Sequence, residues 1–132
     1  IQAQILNLLK ELQQNLDLSY IFITHDLSVV HHFADDIAVM YLGRLVEKAK
    51  TEDLFQEPLH PYTQALLSAI PTPDLKESHR ILLKGEITSP VDPPDECRFL
   101  PRCLQACEAC AQKEPELREV RPNHFVSCCN VS

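Results

Sequence analysis

Tyr20-Ile21-Phe22-Ile23-Thr24-His25-Asp26-Leu27-Ser28-Val29-Val30 is the stretch whose reading decides the fold. Tyr20 to Ile23 are β-prone and continuously apolar apart from one phenol hydroxyl, the pattern of a strand covered on both faces. The polar Thr24-His25-Asp26 that follows is immediately succeeded by an amphipathic run. A histidine at the exit of a parallel strand lies at the carboxyl edge of the sheet, where α/β folds bind ligands. Asp26 is placed to cap the next helix, because its carboxylate can accept the free N–H groups of a first turn. That helix is expected from Leu27 to about Ala34, with Leu27, Val30 and Phe33 or Ala34 inward.

Upstream, Ile1, Ile5, Leu8, Leu12 and Leu16, with Leu9 beside them, recur in steps of three and four and give one apolar helix face. Asn15 to Ser19 read as its exit turn. Downstream, Ile37 to Leu42 form a second strand, Gly43 a tight turn, and Leu45 to Lys48 a returning strand. Thr51, followed by Glu52 and Asp53, reads as a hydroxyl cap with acids favoured by the helix dipole. Pro58 ends that short helix. Pro61 suits a first helical position, and Tyr62 to Ile70 carry Leu66, Leu67 and Ile70 on one side until Pro71 stops them.

After Pro71 the composition changes. Pro71, Pro73, Pro90, Pro93, Pro94 and Pro101 break any long element, leaving at most a hairpin from Arg80 to Ile87 around Gly85. All six cysteines lie between Cys97 and Cys129. Such crowding in a chain read as cytoplasmic points to metal more than to disulfides. No apolar run is long enough to cross a bilayer, so no direct membrane insertion is expected. The chain of 132 residues has a formal net charge of −7. That balance argues against nucleic-acid binding through phosphate neutralisation. Only Gly43 and Gly85 occur, too few for a phosphate-wrapping glycine loop. The chain opens at Ile1 inside a helical pattern and is expected to be a fragment of a longer protein.

Thr24-His25-Asp26-Leu27-Ser28 resembles the switch-histidine region of ABC transporter ATPases. Asp35-Asp36-Ile37-Ala38-Val39-Met40-Tyr41-Leu42-Gly43-Arg44-Leu45-Val46-Glu47 is similar to the last β segments of their nucleotide-binding domain. Pro58-Leu59-His60-Pro61-Tyr62 through Pro71, with Pro93-Pro94, Cys97-Arg98-Phe99 and Pro101-Arg102-Cys103, narrows the likeness to the oligopeptide/dipeptide (and nickel) importer subfamily.

The resemblance implies an α/β chain: the C-terminal part of a P-loop NTPase (RecA-like) ABC ATPase core over residues 1–57, then a loop-rich, cysteine-containing extension over 58–132. The Walker A, signature and Walker B motifs would lie upstream. It implies that His25 senses the ATP γ-phosphate or the attacking water, with Mg²⁺ held by the intact protein. The chain alone is expected neither to bind ATP tightly nor to hydrolyse it.

The implied partners are a second ABC ATPase subunit and transmembrane permease subunits, with the protein cytoplasmic and peripheral to the cell membrane. The family pattern points to Cys97, Cys103, Cys110 and Cys128 as ligands of a [4Fe–4S] cluster, with Zn²⁺ as the alternative. Cys107 and Cys129 are additional and leave the ligand choice open. Glu96 stands where the family often has glycine. His31 and His32 are read as solvent-exposed, His60 as a packing residue, and Tyr41 and Glu47 as structural. The competing reading is a stand-alone cysteine-rich, metal-binding regulatory module.

Overall fold

The computed structural model describes residues 2–71, 80–87, 89 and 91–131. Ile1, Pro73 and Pro90, invoked above, lie outside them. Among the described residues, four α-helices and four strands follow in the order α1 (Gln2–Leu16), α2 (Leu27–Phe33), β1 (Asp36–Tyr41), β2 (Arg44–Lys50), α3 (Thr51–Gln56), α4 (Pro61–Ser68), β3 (Arg118–Arg121) and β4 (His124–Val126). Two three-ten turns, Leu100–Arg102 and Glu108–Ala111, punctuate the cysteine-bearing segment.

The strands form one antiparallel sheet in the order β1-β2-β4-β3. β1 buries alternate side chains, Ile37, Val39 and Tyr41. Leu42 and Gly43 both take positive φ, 44° and 78°. Positive φ at both central residues is what a two-residue hairpin turn requires. The pairing then slips: Val39 faces Glu47 but Met40 faces Leu45, so Val46 is an extra residue on β2. This bulge breaks the alternation, and Val46 and Glu47 are both buried in succession. The Val46 carbonyl is taken by the Ser127 N–H at 2.8 Å, at the end of β4.

α1 ends as its composition suggests. Asp17 takes a φ of 52°, and the Leu18 N–H donates to the Gln13 carbonyl at 3.1 Å, the six-to-one bond of a Schellman stop. Its apolar face is not buried: Ile5, Leu8, Leu12 and Leu16 are all exposed. The expected strand at Tyr20–Ile23 is likewise absent. The segment is not paired, and Ile21 and Ile23 are 95% and 92% exposed. A strand exists only through a ladder partner, and none of the described strands lies against it.

Two smaller expectations also change. Thr51 is the first residue of α3 rather than its cap, because its hydroxyl donates to the Ala34 carbonyl at 2.6 Å. Arg80–Ile87 is no hairpin. The Ile81 N–H is taken by the Ser68 hydroxyl at 3.0 Å, and Gly85, at φ +87°, lies flat against the Pro101 carbonyl.

The core gathers Val30, Ile37, Val39, Tyr41, Val46, Ala49, Leu54 and Phe99. Phe99 is the anchor of the tail. It is 2% exposed and packs against Tyr41, Tyr62 and His60 with ring centroids 5.2, 5.4 and 5.6 Å away. Arg98 beside it donates to the Leu42 carbonyl at the β1–β2 turn. Glu114 lies 3.1 Å from Arg98 Nε and 3.4 Å from Arg44. The cysteine-bearing tail is thus clamped on the hairpin by one aromatic plug and one cluster of charges.

Candidate functional site

His25 sits in a bend between the unpaired segment and α2, and it is exposed. The Asp26 N–H donates to Thr24 Oγ1 at 3.0 Å, and Asp26 Oδ1 accepts the Ser28 N–H at 3.0 Å as the α2 cap. The Ser28 hydroxyl hydrogen bonds to the same carboxylate and holds its pKa below the usual range. Both residues around the cap are therefore fixed by short-range bonds, while the imidazole between them faces solvent. Such a ring can offer a hydrogen bond to a ligand without breaking an internal one. His31 and His32 are exposed, as read from sequence, although His31 also rests against Phe55 at 4.3 Å.

A second cluster is buried around Glu47, which is 0% exposed. Its Oε1 accepts the Leu59 N–H at 2.8 Å and lies 2.7 Å from His124 Nε2, while Oε2 accepts the His60 N–H at 3.0 Å. A carboxylate only accepts, so His124 carries its proton on Nε2. His60 caps α4 with its ring: Nδ1 accepts the Tyr62 N–H at 3.1 Å. Burial pushes the His60 pKa down to about 4, against the opposing pull of Glu47, so His60 is neutral at pH 7 with its proton on Nε2. The bonding explains why a carboxylate tolerates this depth: buried charges persist where donors satisfy them. The arrangement positions a loop and a helix; nothing in it is poised for proton transfer to a ligand.

The cysteine segment folds back on itself. The Cys97 N–H donates to the Cys110 carbonyl at 2.8 Å, and the Cys110 N–H to the Cys107 carbonyl at 3.1 Å. Cys107 Sγ and Cys110 Sγ are 3.5 Å apart. All six cysteines are free thiols. Burial pushes Cys97 and Cys129 up to about 11, and raises Cys103 and Cys128. Mutual repulsion among Cys97, Cys103, Cys110 and Cys128 adds to the rise. Cys107 runs the other way, lowered mainly by its hydrogen bond with Cys110.

Residues 46–110 match the family described as oligopeptide/dipeptide transporter, C-terminal region. The segment from Val46 to Cys110 is thus similar to the C-terminal region of oligopeptide/dipeptide transporters. Relatives extend the likeness to nearly all of the chain. A Brucella ovis protein named for peptide import and ATP binding is 54% identical over 129 residues, 97% of this chain and 41% of its own length. A dipeptide transport ATP-binding protein of Haemophilus influenzae is 50% identical over 99% of this chain and 40% of its own. An oligopeptide transport ATP-binding protein of Bacillus subtilis is 50% identical over 97% of this chain and 40% of its own. The chain thus spans about two fifths of the length of these curated relatives. A likeness that runs from end to end through ATP-binding proteins does not favour the stand-alone cysteine module.

Within the matched region, Leu59-His60-Pro61-Tyr62 is the Glu47 cluster seen from its other side. Its two N–H groups meet the carboxylate, its imidazole caps α4, and Tyr62 meets Phe99. Sequence reasoning identified His60 and Glu47 as structural but missed His124, which joins them from β4. The β3–β4 pair was also missed; Arg118-Glu119-Val120-Arg121 and His124-Phe125-Val126 around Pro122-Asn123 were the available signal, with Asn123 at φ 59°.

For the four thiols assigned to metal, the donor chemistry fits a soft cation: reduced, partly desolvated sulfurs whose mutual repulsion a metal would reverse. Among the described residues, no group of three or more His, Cys, Asp or Glu side chains is arranged to hold an ion. No helix among the described residues is long and apolar enough to cross a membrane.

Proposed function

We propose that this chain is the C-terminal part of the ATP-binding subunit of an ABC importer for peptides, and that His25 is its switch histidine. The observation that carries this reading is the 50–54% identity to peptide-transport ATP-binding proteins across 97–99% of the chain. The geometry at His25 supports the residue role: an exposed imidazole, with its neighbour Asp26 locked as the α2 cap. In the intact subunit, His25 donates a hydrogen bond to the γ-phosphate or orients the attacking water. Phosphoryl transfer is governed by such positioning and charge stabilisation. ATP is the substrate, Mg²⁺ accompanies it, and both are held by upstream residues.

On this reading residues 1–57 belong to the ATPase domain and 58–132 to its extension. A second ATPase subunit closes over the nucleotide, and transmembrane permease subunits hold the protein at the inner face of the membrane. Cys97, Cys103, Cys110 and Cys128 are the proposed ligands of an iron–sulfur cluster or a zinc ion, whose work is to tie a tail that buries little apolar surface. Iron, zinc and sulfide analysis of anaerobically purified protein tests that assignment, and a colourless, metal-free protein rejects it.

The experiment for the main reading is calorimetry and turnover on two proteins. The intact subunit binds and hydrolyses ATP, whereas the 132-residue chain shows neither. Micromolar ATP binding by the chain alone, or an intact subunit without ATPase activity, overturns it.

A further inference from the structure

Two of the six cysteines, Cys107 and Cys129, have no part in the proposed ligand set, and Cys107 is in direct contact with another sulfur. Cys107 Sγ lies 3.5 Å from Cys110 Sγ. The Cys110 N–H bonds to the Cys107 carbonyl at 3.1 Å, an i to i+3 turn that holds the two Cα atoms within roughly 7 Å. That is the span a disulfide bridges. Cys110 is pinned again through its carbonyl, which accepts the Cys97 N–H at 2.8 Å. The two sulfurs also differ in access: Cys110 is 4% exposed, whereas Cys107 is only half-buried. An S–S bond of about 2.05 Å needs a closure of roughly 1.5 Å, a side-chain rotation within a turn that already exists.

We infer that Cys107 and Cys110 form a redox-active dithiol, with Cys107 the sulfur that meets oxidant and Cys110 the sulfur that resolves. The oxidant is a low-molecular-weight disulfide. The Cys107 thiolate attacks one of its sulfurs, breaking the S–S bond and releasing one small thiol. The Cys110 thiolate then attacks Cys107 Sγ in the mixed disulfide and expels the second small thiol. Two protein thiols lose two electrons and two protons, and one small disulfide becomes two thiols. The inference rests on sulfur geometry and not on the metal assignment. Because Cys110 is common to both, however, the disulfide and a four-cysteine centre are alternative states of one sulfur.

The test uses the whole chain, stripped of metal by chelation under reductant and then equilibrated with graded ratios of oxidised to reduced glutathione. Disulfides are mapped on proteolytic peptides. The expected first product is the Cys107–Cys110 bridge. It is lost in Cys107→Ser and retained in Cys129→Ser at the same ratio. Cys129 also interacts with Cys110, so a Cys110–Cys129 bridge forming first overturns the inference. So does a glutathione adduct on Cys107 that persists without resolving. Metal content measured on a separate, untreated sample judges the ligand assignment, and a metal-free result there leaves the disulfide result standing.

Discussion

Removing the Glu47 carboxylate is the perturbation whose cost the structure fixes most closely. Glu47 is fully buried and satisfies three donors: the Leu59 and His60 N–H groups and His124 Nε2. In Glu47→Ala all three lose their partner at once. An orphaned buried donor costs about 1–3 kcal/mol, towards the upper end where its acceptor was charged. His124 can shift its proton from Nε2 to Nδ1, which removes part of its share. We expect Glu47→Ala to lose about 3–5 kcal/mol from the three donors together. Glu47→Gln keeps the shape and one acceptor oxygen. Its amide places two N–H groups against a donor that the carboxylate had accepted, so about 1–3 kcal/mol is expected. The assay is urea unfolding followed by far-UV circular dichroism, with unchanged slope in denaturant. If Glu47→Ala shifts stability by less than about 0.5 kcal/mol, the range of an ordinary surface substitution, the carboxylate is not the organiser proposed.

His60 sets a pH dependence. Its folded pKa of about 4 lies below the unfolded value, so the unfolded chain binds the proton more readily, and stability falls as pH drops from about 6.5 toward 4. Between pH 7.5 and 5 the loss is about 2 kcal/mol from this group, and His60→Asn, which keeps a capping acceptor, flattens that part of the profile. Gly85→Ala should destabilise by about 2 kcal/mol or more: the backbone there is left-handed, and the added Cβ would lie 2.7 Å from the Pro101 carbonyl oxygen. The same urea titration reads it, and a neutral result would mean that this loop does not pack on the Leu100–Arg102 turn as described.

What the sequence revealed was mostly local. The Asp26 cap, the β1–β2 hairpin with Gly43, and Pro61 at the start of α4 depend on residues within a few positions of one another, and each formed where the chemistry placed it. The losses came where a distant partner decides. Tyr20–Ile23 has the side chains of a strand, but a ladder needs a neighbour, and no described strand supplies one. Thr51 has a capping hydroxyl, but the Ala34 carbonyl captured it. The burial of Glu47 follows from an extra residue at Val46 and from a histidine 77 positions away, neither of which periodicity can announce. The tail looked loop-rich because its proline spacing hid β3 and β4; β4 pairs with β2 across residue 57, and β3 pairs with β4. For the candidate site, the motif singled out His25, and its ring is exposed. The cysteines were legible as a group, while which sulfurs meet depends on a turn at Cys107–Cys110 that spacing alone left open.

Replacing the exposed imidazole is the most direct trial of the account. In the intact subunit, His25→Ala should lower ATP turnover at saturating substrate by at least about tenfold, a cautious bound on the loss of a positioned proton-handling group. ATP affinity should stay within about threefold, about 0.7 kcal/mol, of the parent. Turnover equal to that of the parent protein would contradict a switch role for His25, and with it the residue-level mechanism argued from this chain.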